Sequence, residues 1–78
     1  MASAAQQSRR YRAFLVQFRA AREEAGLTQV EVARKLRKPQ SFVSKSETGE
    51  RRVDVVELCE FAKLYGKDIR YFMPDFPV

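Results

Sequence analysis

Gln40, Ser41, Ser44 and Lys45 carry the groups in this chain best suited to chemistry on a partner. On a helix their spacing places them on one side, with Val43 turned the other way. Gln can pair in two places with an adenine edge, Lys donates to guanine O6 and N7, and a Ser hydroxyl serves several bases. Together they have what is needed to read base edges in a DNA major groove, provided a helix presents them. Phe42 stands about 100° around from Val43. From there its ring can touch a thymine methyl, lie against the sugar-phosphate backbone, or cover the edge of the preceding helix.

The elements that must position these residues can be read on either side. Thr28 with Glu31 three residues later forms a capping box, and Val32, Ala33 and Leu36 follow at helical spacing. Arg37, Lys38 and Pro39 interrupt that pattern, and Pro39 suits the first turn of a new helix running to Glu47, with Gly49 as a stop. The segment 28–49 is therefore expected to be two short helices joined by a tight turn. Upstream, Tyr11, Phe14, Leu15, Phe18, Ala21 and Ala25 keep helical spacing from Arg9 until Gly26. Downstream, Asp54 and Glu57 form a second capping box, and Val53 can staple onto Leu58. Leu58, Phe61, Ala62 and Tyr65 give that fourth helix an inward face, and Gly66 closes it. A short fifth helix is expected from Asp68, carrying Ile69, Tyr71 and Phe72 and ended by Pro74. The expectation is an all-α, compact five-helix domain over 9–73, with 1–8 a disordered lead-in and 74–78 a tail.

Seventy-eight residues make one domain, with 45% apolar and 32% charged residues, the balance of an ordinary globular chain. There is no apolar run of membrane-spanning length, and MASAAQQSRR lacks the apolar segment of a signal peptide, which points to the cytoplasm. One cysteine excludes an internal disulfide, and zero histidines leave no plausible zinc site and no cofactor to expect. Cys59 is expected to be a small buried residue on the fourth helix. No nucleophile–base pair or glycine-rich phosphate loop suggests an enzyme. Up to Arg52 the chain holds twelve Lys/Arg against five Asp/Glu, while from Val53 onward it holds three against five. The basic part contains the paired helices, which is the electrostatic footprint of a polyanion binder.

Gly26, Leu27, Thr28, Gln29, Glu31, Val32, Ala33, Leu36, Gln40, Ser41, Val43, Glu47 and Gly49 follow one known pattern in order and without insertion. The chain resembles the phage-repressor or Xre-type helix-turn-helix family, the lambda-repressor-like domains, from about Phe14 to about Phe72. The resemblance implies that Gln40, Ser41 and Lys45 reach base edges, with Ser44 beside them and Phe42 undecided. It also implies that Gln29 meets a backbone phosphate and that Arg22 pairs with Glu47 in the interior. Thr48, Arg51, Arg52 and Lys38 are further phosphate candidates, by position or charge.

In this family such a domain would act on double-stranded DNA as a transcriptional regulator, most simply a repressor. It would bind as a homodimer on an inverted repeat, with recognition helices about 34 Å apart. Tyr71, Phe72, Met73 and Phe76 are candidates for the dimer contact. An antitoxin or restriction–modification controller, which also binds a protein partner, is the alternative. Two positions depart from the family pattern. Arg37 stands where Gly is usual, so the turn must bear a positive φ or shift, and Ser46 replaces a large apolar residue, leaving room under the recognition helix.

Overall fold

The computed structural model describes residues 8–73. Residues 1–7 of the expected lead-in and the tail 74–78, Phe76 with it, lie outside the described residues. Four α-helices follow one another: α1 (Arg9–Glu24), α2 (Gln29–Leu36), α3 (Gln40–Thr48) and α4 (Val55–Tyr65). No strand occurs among the described residues. The expected fifth helix is instead a single 3₁₀ turn, Ile69–Phe72. Between Asp68 and Pro74 there is too little chain for an i→i−4 ladder, and the tighter i→i+3 turn is what fits.

The helix starts follow from local chemistry. Thr28 and Glu31 exchange both capping-box hydrogen bonds at α2, and Asp54 and Glu57 do the same at α4. Ser8, expected in the lead-in, caps α1 by accepting from the Tyr11 N–H at 3.0 Å. Pro39 is the cap of α3 rather than its first residue, and its backbone is extended, with φ −64° and ψ 154°. Gly49 closes α3 at φ 85°, the left-handed conformation that costs a residue with a Cβ.

Every element contributes to one aromatic core. Phe18, Phe61 and Phe72 are fully buried, and Phe18 meets Phe61 edge-on with centroids 4.7 Å apart. Edge-to-face rings suit the aromatic quadrupole and add to what burial alone contributes. Val32, Ala33 and Val43 bring α2 and α3 onto the same core. The end of the chain is fastened back onto α1: the Tyr71 carbonyl accepts from Gln17 Nε2 at 3.2 Å, and the Tyr71 hydroxyl donates to Glu24 at 3.0 Å.

Two expectations are corrected here. Phe72 is fully buried against its own core, packed near Phe14 and Phe18, so it is not a surface for a second copy. Cys59 is exposed, not buried. The inward stripe of α4 is Leu58, Phe61, Ala62 and Tyr65, and Cys59 falls one step outside it.

Candidate nucleic-acid interface

α2 and α3 are held apart at a fixed angle by their turn and by α1. The turn is three residues long, Arg37 to Pro39, and Arg37 takes the left-handed conformation at φ 58° and ψ 45°. It is the sole non-glycine residue with positive φ among those described. This resolves the first departure from the family pattern: the turn keeps its geometry and Arg37 bears the strain. The Arg37 N–H reaches the carbonyls of Ala33 and Arg34, and the Lys38 N–H donates to Ala33 at 2.9 Å, so the end of α2 is closed.

From the other side, Arg22 on α1 reaches Glu47 on α3 with Nε at 2.6 Å and Nη2 at 3.2 Å. The pair is almost fully buried, as the resemblance implies. Hydrogen bonding to Glu47 raises the Arg22 guanidinium further above its ordinary value, so it stays charged. Gln29, expected at a phosphate, donates its Nε2 to the same Glu47 at 3.0 Å. Arg22 of α1 and Gln29 at the start of α2 therefore share one carboxylate of α3.

With the angle fixed, the outer side of α3 presents Gln40, Ser41 and Lys45 exposed and Ser44 half-buried. Pro39 provides no side-chain cap, and the Phe42 N–H is used by the Pro39 carbonyl at 3.0 Å, so the N–H groups of Gln40 and Ser41 remain turned toward whatever lies before the helix. Lys38 is exposed beside this end, its Nζ 5.3 Å from the centre of the Phe42 ring. Thr48 is exposed, but its hydroxyl donates to the Lys45 carbonyl at 3.2 Å and accepts from the Glu50 N–H at 3.4 Å.

Phe42 and Arg51 are placed differently from the outward set. Phe42 is half-buried and lies parallel to Phe61, centroids 6.0 Å apart and planes 11° apart. Its ring packs toward α4, whereas the packing role expected for it is over the edge of the preceding helix. Arg51 lies over the Phe42 ring, with Cζ 4.2 Å from the ring centre. Its guanidinium also donates to both Glu57 oxygens, Nη1 at 3.0 Å and Nη2 at still closer contact, and to the Arg52 carbonyl at 3.2 Å. Arg51 is thus built into the scaffold. Arg52 is exposed, its Cζ 4.5 Å above the Tyr11 ring.

In the stack Phe61–Phe42–Arg51, the partners Phe61 and Arg51 are what the sequence did not reveal. The signal for them lay in Ser46, which is fully buried and donates to the Phe42 carbonyl at 2.6 Å. The Ser46 hydroxyl also accepts from Arg51 Nη1 at 3.5 Å, so this small side chain lies beside the guanidinium.

Comparison with known proteins agrees with this geometry. The family described as Helix-turn-helix matches residues 18–72, from the middle of α1 to the end of the 3₁₀ turn. No curated protein and no solved structure matches the chain. With that match over most of its length, and with α2, turn and α3 arranged as described, the chain belongs to the Xre/lambda-repressor-like helix-turn-helix family, a family of DNA-binding regulators.

Proposed function

We propose that the protein is a sequence-specific double-stranded DNA-binding transcriptional regulator, a repressor that binds an inverted repeat as a homodimer. The observation that carries this reading is the division of α3 into two sides. Val43 and Ser46 are buried and Glu47 is tied to Arg22, while the side chains of Gln40, Ser41 and Lys45 stand exposed with no hydrogen bond to the described residues. These side chains are assigned to base edges, with Ser44 at their margin. Lys38, Arg52, the Thr48 loop and the remaining amide proton of Gln29 are assigned to phosphates, which fix register and supply salt-sensitive affinity.

A dimer is favoured by size, since one short helix covers too little DNA for high affinity, and paired half-sites recur about 34 Å apart. Met73, 43% exposed at the end of the 3₁₀ turn, keeps that region open to pairing although Phe72 does not. The reading that includes a protein partner is favoured by Val55 and Val56, adjacent on α4 and both largely exposed.

The experiment is selection of bound sequences from a random duplex pool at two salt concentrations. Enrichment of a two-fold symmetric site with half-sites one turn apart is expected. Binding without any enriched sequence, lost at the higher salt, would reduce the activity to backbone attraction and move the search to a protein partner.

A further inference from the structure

Arg34, Lys35, Arg37 and Lys38 lie within five consecutive positions at the end of α2 and in its turn, and all four are exposed. Among the described residues no carboxylate is bonded to them: Glu31 feels the charges of Arg34 and Lys35 but its Oε1 accepts from the Thr28 N–H, and Glu57, whose charge is felt at Lys38, is bonded to Arg51. Part of the cluster is explained by α2 itself, since cations at a helix C-terminus meet its dipole favourably. That account covers Arg34 and Lys35, which lie in the last turn. It does not cover Arg37, which stands beyond the helix in a conformation that glycine would adopt without strain.

A strained non-glycine residue at an exposed turn, bonded through its backbone alone, points to its side chain as the reason for its presence. Arg37 precedes Gln40 by three residues, so their Cα atoms are within about 10 Å. The major groove is about 12 Å wide, with phosphates along both walls. If Gln40 is at the groove floor, the guanidinium of Arg37 is within reach of a wall.

We infer that Arg37, with Arg34 and Lys35 beside it, is a phosphate grip set immediately ahead of the recognition helix, held there against the backbone preference of the turn. The inference rests on the DNA-binding reading and extends the contact surface beyond the residues assigned above. The guanidinium fork suits two phosphate oxygens and carries no base information.

The test compares the full chain with Arg37→Gly, Arg37→Lys and the double variant Arg34→Gln/Lys35→Gln. Each is titrated against a mixed-sequence duplex of about 30 base pairs, close to three helical turns, across a salt series, with melting followed in parallel. Arg37→Gly is expected to melt higher than the parent yet bind several-fold more weakly. Its plot of log affinity against log salt should be shallower by about 0.9 per protomer. Arg37→Lys should keep the parental salt slope, and the double variant should lose slope without losing melting temperature by more than a few degrees. A higher melting point with unchanged affinity and slope in Arg37→Gly would overturn the inference and leave Arg37 as a strained turn residue only. Failure of the parent itself to bind the duplex at low salt would instead overturn the DNA reading, and the grip with it.

Discussion

Arg22 and Glu47, on α1 and α3, are joined through two hydrogen bonds of one guanidinium fork, and the third direction of that fork is closed by the Leu27 carbonyl at 2.8 Å from Nη1. Their side chains are 10% and 4% exposed. Leu27 lies in the link between α1 and α2, so one side chain holds the ends of three helices together. α3 is oriented by charge and hydrogen-bond direction as well as by packing.

Breaking this pair from one side leaves a buried charge unmatched, which typically costs about 3–5 kcal/mol. Glu47→Ala is therefore expected to destabilise the domain by that order in urea unfolding and to weaken DNA binding with it. Lys45→Ala, on the exposed side of the same helix, should change stability by less than about 0.5 kcal/mol while weakening binding. Similar unfolding curves for the two variants would contradict the division between the two sides of α3.

Tyr65 offers a prediction of the opposite sign. Its ring packs against Phe18 and Phe61, but the hydroxyl is buried without a hydrogen-bond partner among the described residues. Burial, and then the Glu47 charge, push its ionisation well above the ordinary phenol range, so the group stays neutral. An unsatisfied buried hydroxyl costs about 1–3 kcal/mol, and Tyr65→Phe removes it without disturbing the ring. A gain of about 1 kcal/mol is expected by thermal or chemical unfolding. A loss would mean that the hydroxyl has a partner in solution.

Acid should unfold the protein partly through Glu57. Hydrogen bonding from Arg51 and from the Asp54 backbone N–H holds this carboxyl below its ordinary value, against the opposing effect of burial. A group with a depressed folded pKa contributes its stability above its unfolded pKa, about 4.3, and loses it as pH falls through the folded value. Stability should be level near neutrality and fall from about pH 5 downward. Glu24, Glu31 and Asp68 are lowered as well, by bonds from Lys67, Thr28 and Arg70 respectively. Glu57→Gln should therefore make the fall shallower without abolishing it, as measured by urea midpoints across the acid range.

Arg51 and Arg52 are adjacent and alike in sequence, yet they should behave differently. Arg51→Ala removes the fork to Glu57 and uncovers Phe42. Charge-assisted hydrogen bonds contribute about 1.5–3 kcal/mol when shielded, and partial exposure here lowers the expected loss to about 1–2 kcal/mol. Arg52→Ala loses a cation–π contact worth about 0.5–1 kcal/mol at an exposed site. If charge alone mattered, the two variants would show equal stability and equal changes in salt dependence. Paired unfolding and titration measurements distinguish these outcomes.

What could be read from the sequence was what depends on neighbours along the chain. The capping boxes at Thr28 and Asp54, the stops at Gly49 and Gly66, and the apolar stripe of α1 each need only a few residues of context. The Arg22–Glu47 pair was legible through the family pattern. Residues whose roles depend on distant partners were harder: Phe42 is defined by Phe61, Arg51 by Glu57 and Phe42, and Gln29 by Glu47. Cys59 shows the same limit within one helix, since a step of 100° separates inside from outside and spacing alone did not resolve it. The last element came out as a 3₁₀ turn because the length available, not the residue types, decided its form.

The two sides of α3 have a consequence for how such a protein can change over time. Gln40, Ser41 and Lys45 support nothing inside the molecule, so replacing them leaves the fold standing, while the α1 clamp keeps the helix in the same pose whatever they become. On the proposed assignment of these side chains to base edges, new target preferences can be explored one substitution at a time, each intermediate still folded. The opposite holds for the helix-turn-helix taken as a fragment: cut free of Phe18 and Arg22, residues 28–49 would have no core to lie on. On that assignment its recognition code is editable in place and does not travel alone.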